Sequence, residues 1–170
     1  MANTTSTEPA VRAKAPLWAS LTATFFNIGY GKPGPGTWAS VATVLLWFGL
    51  ARYAAPPDQL IAAITTSIAV TLIGIPAATR MARALGQVDP SVVVIDEVAG
   101  QMIALIGAAL DWKSMLAALI LFRVFDIAKP FPLRRLEHLP EGLGIVLDDV
   151  GAGLYALALM QLARHLGWLA

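Results

Sequence analysis

The chain has 170 residues, 57% of them hydrophobic and only 14% charged, with a formal net charge of +1 and a mean hydropathy of +0.67. Ordinary soluble domains carry about 25% charged residues, so this chain has too few to cover a water-facing surface, and a lipid bilayer is the expected solvent. The near-neutral charge excludes a nucleic-acid footprint. The absence of cysteine excludes disulfides, thiolate metal sites and cysteine nucleophiles, and two histidines, His138 and His165, are too few for a histidine-built zinc centre.

Residues 1–16 are polar and Ser/Thr-rich without apolar periodicity, and read as a flexible tail ahead of one helical domain at 17–170. The apolar continuation contains Asn27 and meets a Gly/Pro loop without a clear small-residue cleavage site, which argues against a signal peptide. Leu17 to Ile28 is too short to cross a bilayer and is expected to lie in the interface or to re-enter. The loop GYGKPGPGTWAS follows, with Gly29, Gly31, Gly34 and Gly36 around Lys32 and with Thr37 expected to cap the next helix. Glycines let backbone N–H groups turn toward an anion, and a helix N-terminus favours phosphate. The order of a Walker loop is absent, and alone this stretch would be only a turn and a cap.

Five apolar segments come next, at roughly 37–53, 59–79, 91–110, 114–129 and 146–163. Only 59–79 is uncharged throughout and meets the ~20-residue length of a bilayer span; the others are shorter or carry ionisable residues inside one end. The alternation of strands is missing, and the β-branched run Val92–Ile95 is brief. The expectation is an all-α fold, a compact bundle of about five membrane-associated or membrane-spanning helices.

If the five segments alternate in direction from an inner N-terminus, the inner side carries Arg12, Lys14, Lys32, Arg80, Arg83, Lys129, Arg134 and Arg135, and the outer side Arg52, Lys113 and Arg164. Eight against three satisfies the positive-inside rule and points to a multi-pass protein with its site toward the cytoplasm. The same topology gathers the 33–37 loop, Asp96–Glu97, the Arg123–Asp126–Lys129 run and Asp148–Asp149 at one membrane face.

A carboxylate inside an apolar helix costs about 2.5–3.5 kcal/mol on insertion scales unless paired or hydrated, so both acidic pairs point to function. The bland alternatives are a helix start for Asp96–Glu97 and N-capping by one residue of Asp148–Asp149. Gly151 and Gly153, just downstream, allow a close helix approach. Carboxylates from two helices make a reasonable magnesium environment, since hard cations take oxygen ligands. Arg123, Asp126 and Lys129, three residues apart, fit either a local salt bridge or a site in which Arg123 or Lys129 holds phosphate and Asp126 serves a metal or the attacking water. Pro130 is expected to end that helix. His138 is a possible proton donor, although such loop histidines are usually just solvated.

Together, PGT at 35–37, IDE at 95–97, FRVFDIAKPFP at 122–132 and GIVLDDVGAG at 144–153 resemble the phosphatidylglycerophosphatase A family in order and separation. One departure is Ala39, where the family's first motif commonly has glycine. The resemblance implies an all-helical enzyme that hydrolyses phosphatidylglycerophosphate, a membrane phospholipid, to phosphatidylglycerol in glycerophospholipid synthesis, with Mg2+ as cofactor. The expected catalytic and metal residues are then Asp96, Glu97, Asp126, Asp148 and Asp149, and the expected substrate-binding residues Lys32, Gly34, Gly36, Thr37, Arg123 and Lys129. Direct attack by water and an aspartyl phospho-enzyme both remain open. The competing reading, an ion transporter with intramembrane carboxylates, fits less well: the acids sit at one end rather than the midplane, and no internal repeat is visible. Oligomeric state is not written in the sequence.

Overall fold

A computed structural model describes residues 14–169; most of the expected N-terminal tail, residues 1–13, lies outside the described residues. The described residues are helical without a strand: α1 (Leu17–Ala23), a 3-10 turn at Ile28–Tyr30, α2 (Pro35–Ala51), α3 (Pro56–Leu85), α4 (Ile95–Ala104), α5 (Trp112–Ala128), α6 (Leu133–Leu136) and α7 (Gly142–His165). The all-α expectation holds, but the helices are less alike than the segments suggest.

Two helices, α3 with 30 residues and α7 with 24, are long and apolar enough to cross a membrane. α2 and α5 have 17 residues each. The segment expected over 91–110 contracts to the ten residues of α4, about 15 Å at 1.5 Å per residue. It is the buried centre of the bundle: every residue of α4 except Glu97 is buried, and α2, α3, α5 and α7 all pack on it. Gly107, with a positive φ of 69°, turns the chain toward α5 soon after α4 ends.

Around this centre the outer helices expose aliphatic stripes at helical spacing, such as Ile61, Ile64, Ile68 and Leu72 on α3 and Leu116, Ile120, Val124 and Ile127 on α5. Ile127 is 74% exposed and Leu72 66%. Apolar faces of this extent are what lipid contact requires and water penalises.

Contacts define two ends. At one, Gln161 Nε2 donates to the Ile106 carbonyl at 2.9 Å, and Arg164 reaches the Gly107 carbonyl. At the other, α1 packs on the last third of α3, and the Val94 amide donates to the Ala23 carbonyl at 2.8 Å. Seven residues make α1 about 10 Å long, so it does not cross. The chain then turns through Phe25, Phe26 and Asn27, all at positive φ.

Two helix starts differ from expectation. α2 begins at Pro35, with Gly34 in the left-handed region as its N-cap, so Thr37 lies inside the first turn and does not cap. Proline at the first helical position has its φ already set and lacks an N–H that would go unpaired there. α7 begins at Gly142, so Asp148 and Asp149 occupy its second turn and neither is a cap. The stretch Gly142–Leu143–Gly144 reads as a loop by composition. Its glycines are there because a Cβ on Gly142 would lie 2.1 Å from the Ile75 carbonyl of α3, and one on Gly144 would lie 2.4 Å from the Leu139 carbonyl.

Candidate active site

The site is built where α4 and α7 touch backbone to backbone. A Cβ on Gly153 would sit 2.4 Å from the Gly100 carbonyl, and one on Gly100 would sit 2.5 Å from the Asp149 carbonyl. Only glycine permits this approach. Asp96 lies one turn before Gly100, and Asp149 one turn before Gly153, so both acids share the faces that meet. Two helices starting from the same end therefore deliver their carboxylates side by side.

Glu97, on the next part of the α4 surface, faces the start of α2. A Cβ on Gly36 would fall 1.8 Å from Glu97 Oε1, so this glycine makes room for the carboxylate. The position also sets an anion near the positive end of the α2 dipole. α5 runs the opposite way and contributes Arg123 and Asp126, joined at 2.7 Å between Nη1 and Oδ2, with Glu97 Oε1 3.8 Å from the same Nη1. Asp126 adjoins Asp149. Lys129, in the left-handed conformation that ends α5 ahead of Pro130, bridges Asp148 at 2.6 Å and Glu137 at 2.5 Å. Burial alone would lower the Lys129 pKa, but the carboxylates of Asp148 and Glu137 outweigh it and raise the value, so Lys129 is a fixed cation at neutral pH.

The five acids thus divide into two groups. Asp126 and Asp148 are each held by a cation, whereas Asp96 and Asp149 form no ion pair among the described residues, and Glu97 has only the longer contact to Arg123. One carboxylate oxygen from each of Asp96, Glu97 and Asp149 lies within 4.8 Å of the others. Asp96 is 9% exposed and Asp149 3%. Asp96 Oδ1 and Glu97 Oε2 are buried without a hydrogen-bond partner. Buried charges are paired or coordinate metals, and a cluster of three carboxylates with one long cation contact among them is strongly disfavoured. An all-oxygen donor set with free lone pairs fits a hard divalent cation such as Mg2+.

The remaining expected residues are placed as follows. Lys32 is exposed on the loop before α2, and Gly34, Gly36 and Thr37 form the first turn of α2 beside Glu97. Lys129 is already engaged by two carboxylates. His138 is exposed and its Nδ1 lies 2.9 Å from the Arg134 carbonyl. Three contributors went unseen in sequence. Gly100 was legible as the residue four after Asp96. Glu137 had no local signal. Gln101, one turn after Glu97, is fully buried with neither amide atom hydrogen-bonded. Its signal was being the one uncharged polar residue in VAGQMIAL.

Fold and site together define an all-helical protein with an apolar exterior and a buried cluster of carboxylates and fixed cations at one end. A family model for phosphatidylglycerophosphatase A matches residues 21–164. A phosphatidylglycerophosphatase A of Haemophilus influenzae is 38% identical over 139 residues, covering 81% of this chain and 83% of the relative. The one from Escherichia coli is 30% identical over 150 residues, covering 85% and 83%. A putative phosphatidylinositol-3-phosphatase of Bacteroides thetaiotaomicron is 35% identical over 149 residues, covering 85% and 92%. No solved structure matches. The chain belongs to the phosphatidylglycerophosphatase A family and is a phosphoric monoester hydrolase.

Proposed function

We propose that the chain hydrolyses phosphatidylglycerophosphate to phosphatidylglycerol and inorganic phosphate as a step of glycerophospholipid synthesis, using Mg2+ held by Asp96, Glu97 and Asp149, with Asp126 and Asp148 beside it. The observation that carries this reading is the division of the acids: Asp96, Glu97 and Asp149 clustered with only Glu97's longer contact to Arg123 among them, and Asp126 and Asp148 held closely by Arg123 and Lys129. Bound among the three, the ion would supply Lewis-acid neutralisation of the phosphoryl oxygens. Without it, so acidic a cluster repels a phosphate dianion.

The chain's own residues do the rest. Arg123 presents a buried Nε with no partner, a donor for a phosphoryl oxygen. Lys129 spends two of its three donors on Asp148 and Glu137 and keeps one. The first turn of α2 adds a favourable dipole at Gly36–Thr37, and Lys32 stands on the preceding loop. Asp126, half-buried beside Asp149 and oriented by Arg123, is placed to orient or deprotonate an attacking water. Such fixed charges need no reorganisation as the phosphoryl charge shifts, which is what the slowest of uncatalysed hydrolyses needs most.

The site end carries Lys32, Arg83, Lys129, Arg134 and Arg135, and the opposite end Arg52, Lys113 and Arg164. That asymmetry supports a multi-pass placement in the bacterial inner membrane with the site toward the cytoplasm. A headgroup of the inner leaflet then meets the site without crossing hydrocarbon. The test is phosphate release by purified protein from phosphatidylglycerophosphate, phosphatidic acid and phosphatidylinositol 3-phosphate, the last chosen because of the Bacteroides relative's name. Phosphatidylglycerophosphate is expected to give the highest kcat/KM; a clear preference for either other lipid would overturn the substrate assignment.

A further inference from the structure

Two apolar grooves flank α2. The one on its α3 side has a volume of about 410 Å³ and is lined by residues such as Leu46, Trp47, Val98 and Met102, with no charged residue. The one on its α5 side is different, because it leads to the site. Val44, Leu45 and Phe48 of α2 face Trp112, Met115 and Leu116 of α5 across a hollow of about 330 Å³ that also touches Leu119. Leu119 in turn borders a second hollow, of about 430 Å³, whose one charged lining residue is Arg123. Trp112, the neighbours Met115 and Leu116, Leu119 and Arg123 lie three or four residues apart from one turn to the next, so they form one continuous track along α5.

We propose that this track holds an acyl chain of the lipid substrate while its phosphate sits among Arg123 and the acids. The inference rests on the lipid-phosphatase reading above. Three features select a lipid chain. The lining of both hollows is apolar except for Arg123, whose guanidinium pairs with Asp126 at 2.7 Å, and the second hollow continues past it to Ile127 and Ala128. From Trp112 to Arg123 is eleven residues of helix, about 16 Å, which matches one leaflet of a ~30 Å hydrocarbon core. The hollow also opens on the α5 face carrying exposed Leu116, Ile120, Val124 and Ile127, so a lipid reaches it sideways from the bilayer. Headgroup and tail are thereby bound by one helix: Arg123 takes the charge, and the turns before it take the hydrocarbon. Binding a remote, unreacting part of the substrate helps to hold the phosphate in register.

Leu116→Trp, about two turns before Arg123 on α5, and Leu45→Trp on α2 fill the groove from exposed positions, so they are compatible with folding. Leu162→Trp, on the exposed side of α7, is the control. The assay compares long-chain phosphatidylglycerophosphate with a form carrying six-carbon acyl chains. Losing the burial of about two methylenes corresponds to roughly a tenfold fall in kcat/KM. The groove variants are expected to lose about that much on the long-chain lipid, to stay within about twofold of wild type on the short-chain form, and to differ from the control. Unchanged turnover of the long-chain lipid, or equal losses on both substrates, overturns the groove and leaves the phosphatase reading standing. A wild-type protein that hydrolyses neither substrate is a distinct result, which overturns the substrate reading and the groove with it.

Discussion

Asp126 and Asp148 each touch a cation of the chain, and Asp96 and Asp149 do not; this difference assigns separate work to acids that look equivalent in the sequence. Asp96→Asn, Asp126→Asn and Asp149→Asn keep size and remove charge. Each is expected to lower kcat by about a hundredfold or more, the scale of one lost electrostatic partner in a water-poor site. The melting temperatures of the Asp96 and Asp149 variants in detergent should stay near wild type or rise, because an unpaired buried charge has been removed, whereas that of Asp126→Asn should fall because Arg123 loses its partner. Activity within a few-fold of wild type would make the acids structural. Arg123→Ala is expected to raise KM as well as lower kcat, since it removes a phosphate donor and the partner of Asp126; a change in kcat alone would argue against phosphate binding. The sequence showed every one of these charges. It also offered the local Arg123–Asp126 pair, but not the long-range ones: residues 129, 137 and 148 meet only because the chain folds back after Pro130.

At the scale of elements, the crossing of α4 and α7 decides whether a site exists. Gly153→Ala gains about 0.5–1 kcal/mol of helix propensity, yet its methyl would fall 2.4 Å from the Gly100 carbonyl. Overpacking of that kind costs about 1–3 kcal/mol, so the clash wins and the helices part. A lower melting temperature together with a marked loss of turnover is the expected outcome, and a more stable, fully active protein would show that the contact does not position the acids. Gly36→Ala tests the other wall by displacing Glu97, and should cut turnover with a smaller effect on stability. Helix existence and type were legible from apolar runs, but helix limits were not. Burial on all sides shortened α4, and tight glycine contacts hid the first turn of α7 behind a loop-like composition.

On the scale of the whole molecule, the apolar faces of α3 and α5 suit a bilayer, and the charge asymmetry of the two ends supports the proposed placement of the site at its inner surface. The chain lacks cysteine, which makes single-cysteine labelling simple. Gln87→Cys, just past the end of α3, should resist an impermeant reagent added to intact cells, and Asp58→Cys, in its first turn, should react; the reverse pattern would invert the topology. The gathering of the four acidic and basic clusters at one end was readable from the alternation of the apolar segments in the sequence. Lateral grooves were not, since they depend on how far α2 and α5 stand apart. The most direct test of the central claim is phosphate release from phosphatidylglycerophosphate by metal-stripped protein, with and without added Mg2+. Turnover should vanish on stripping, return with Mg2+ in the wild type, and fail to return in Asp149→Asn at the same concentration. Full turnover by protein verified to be metal-free would contradict the account.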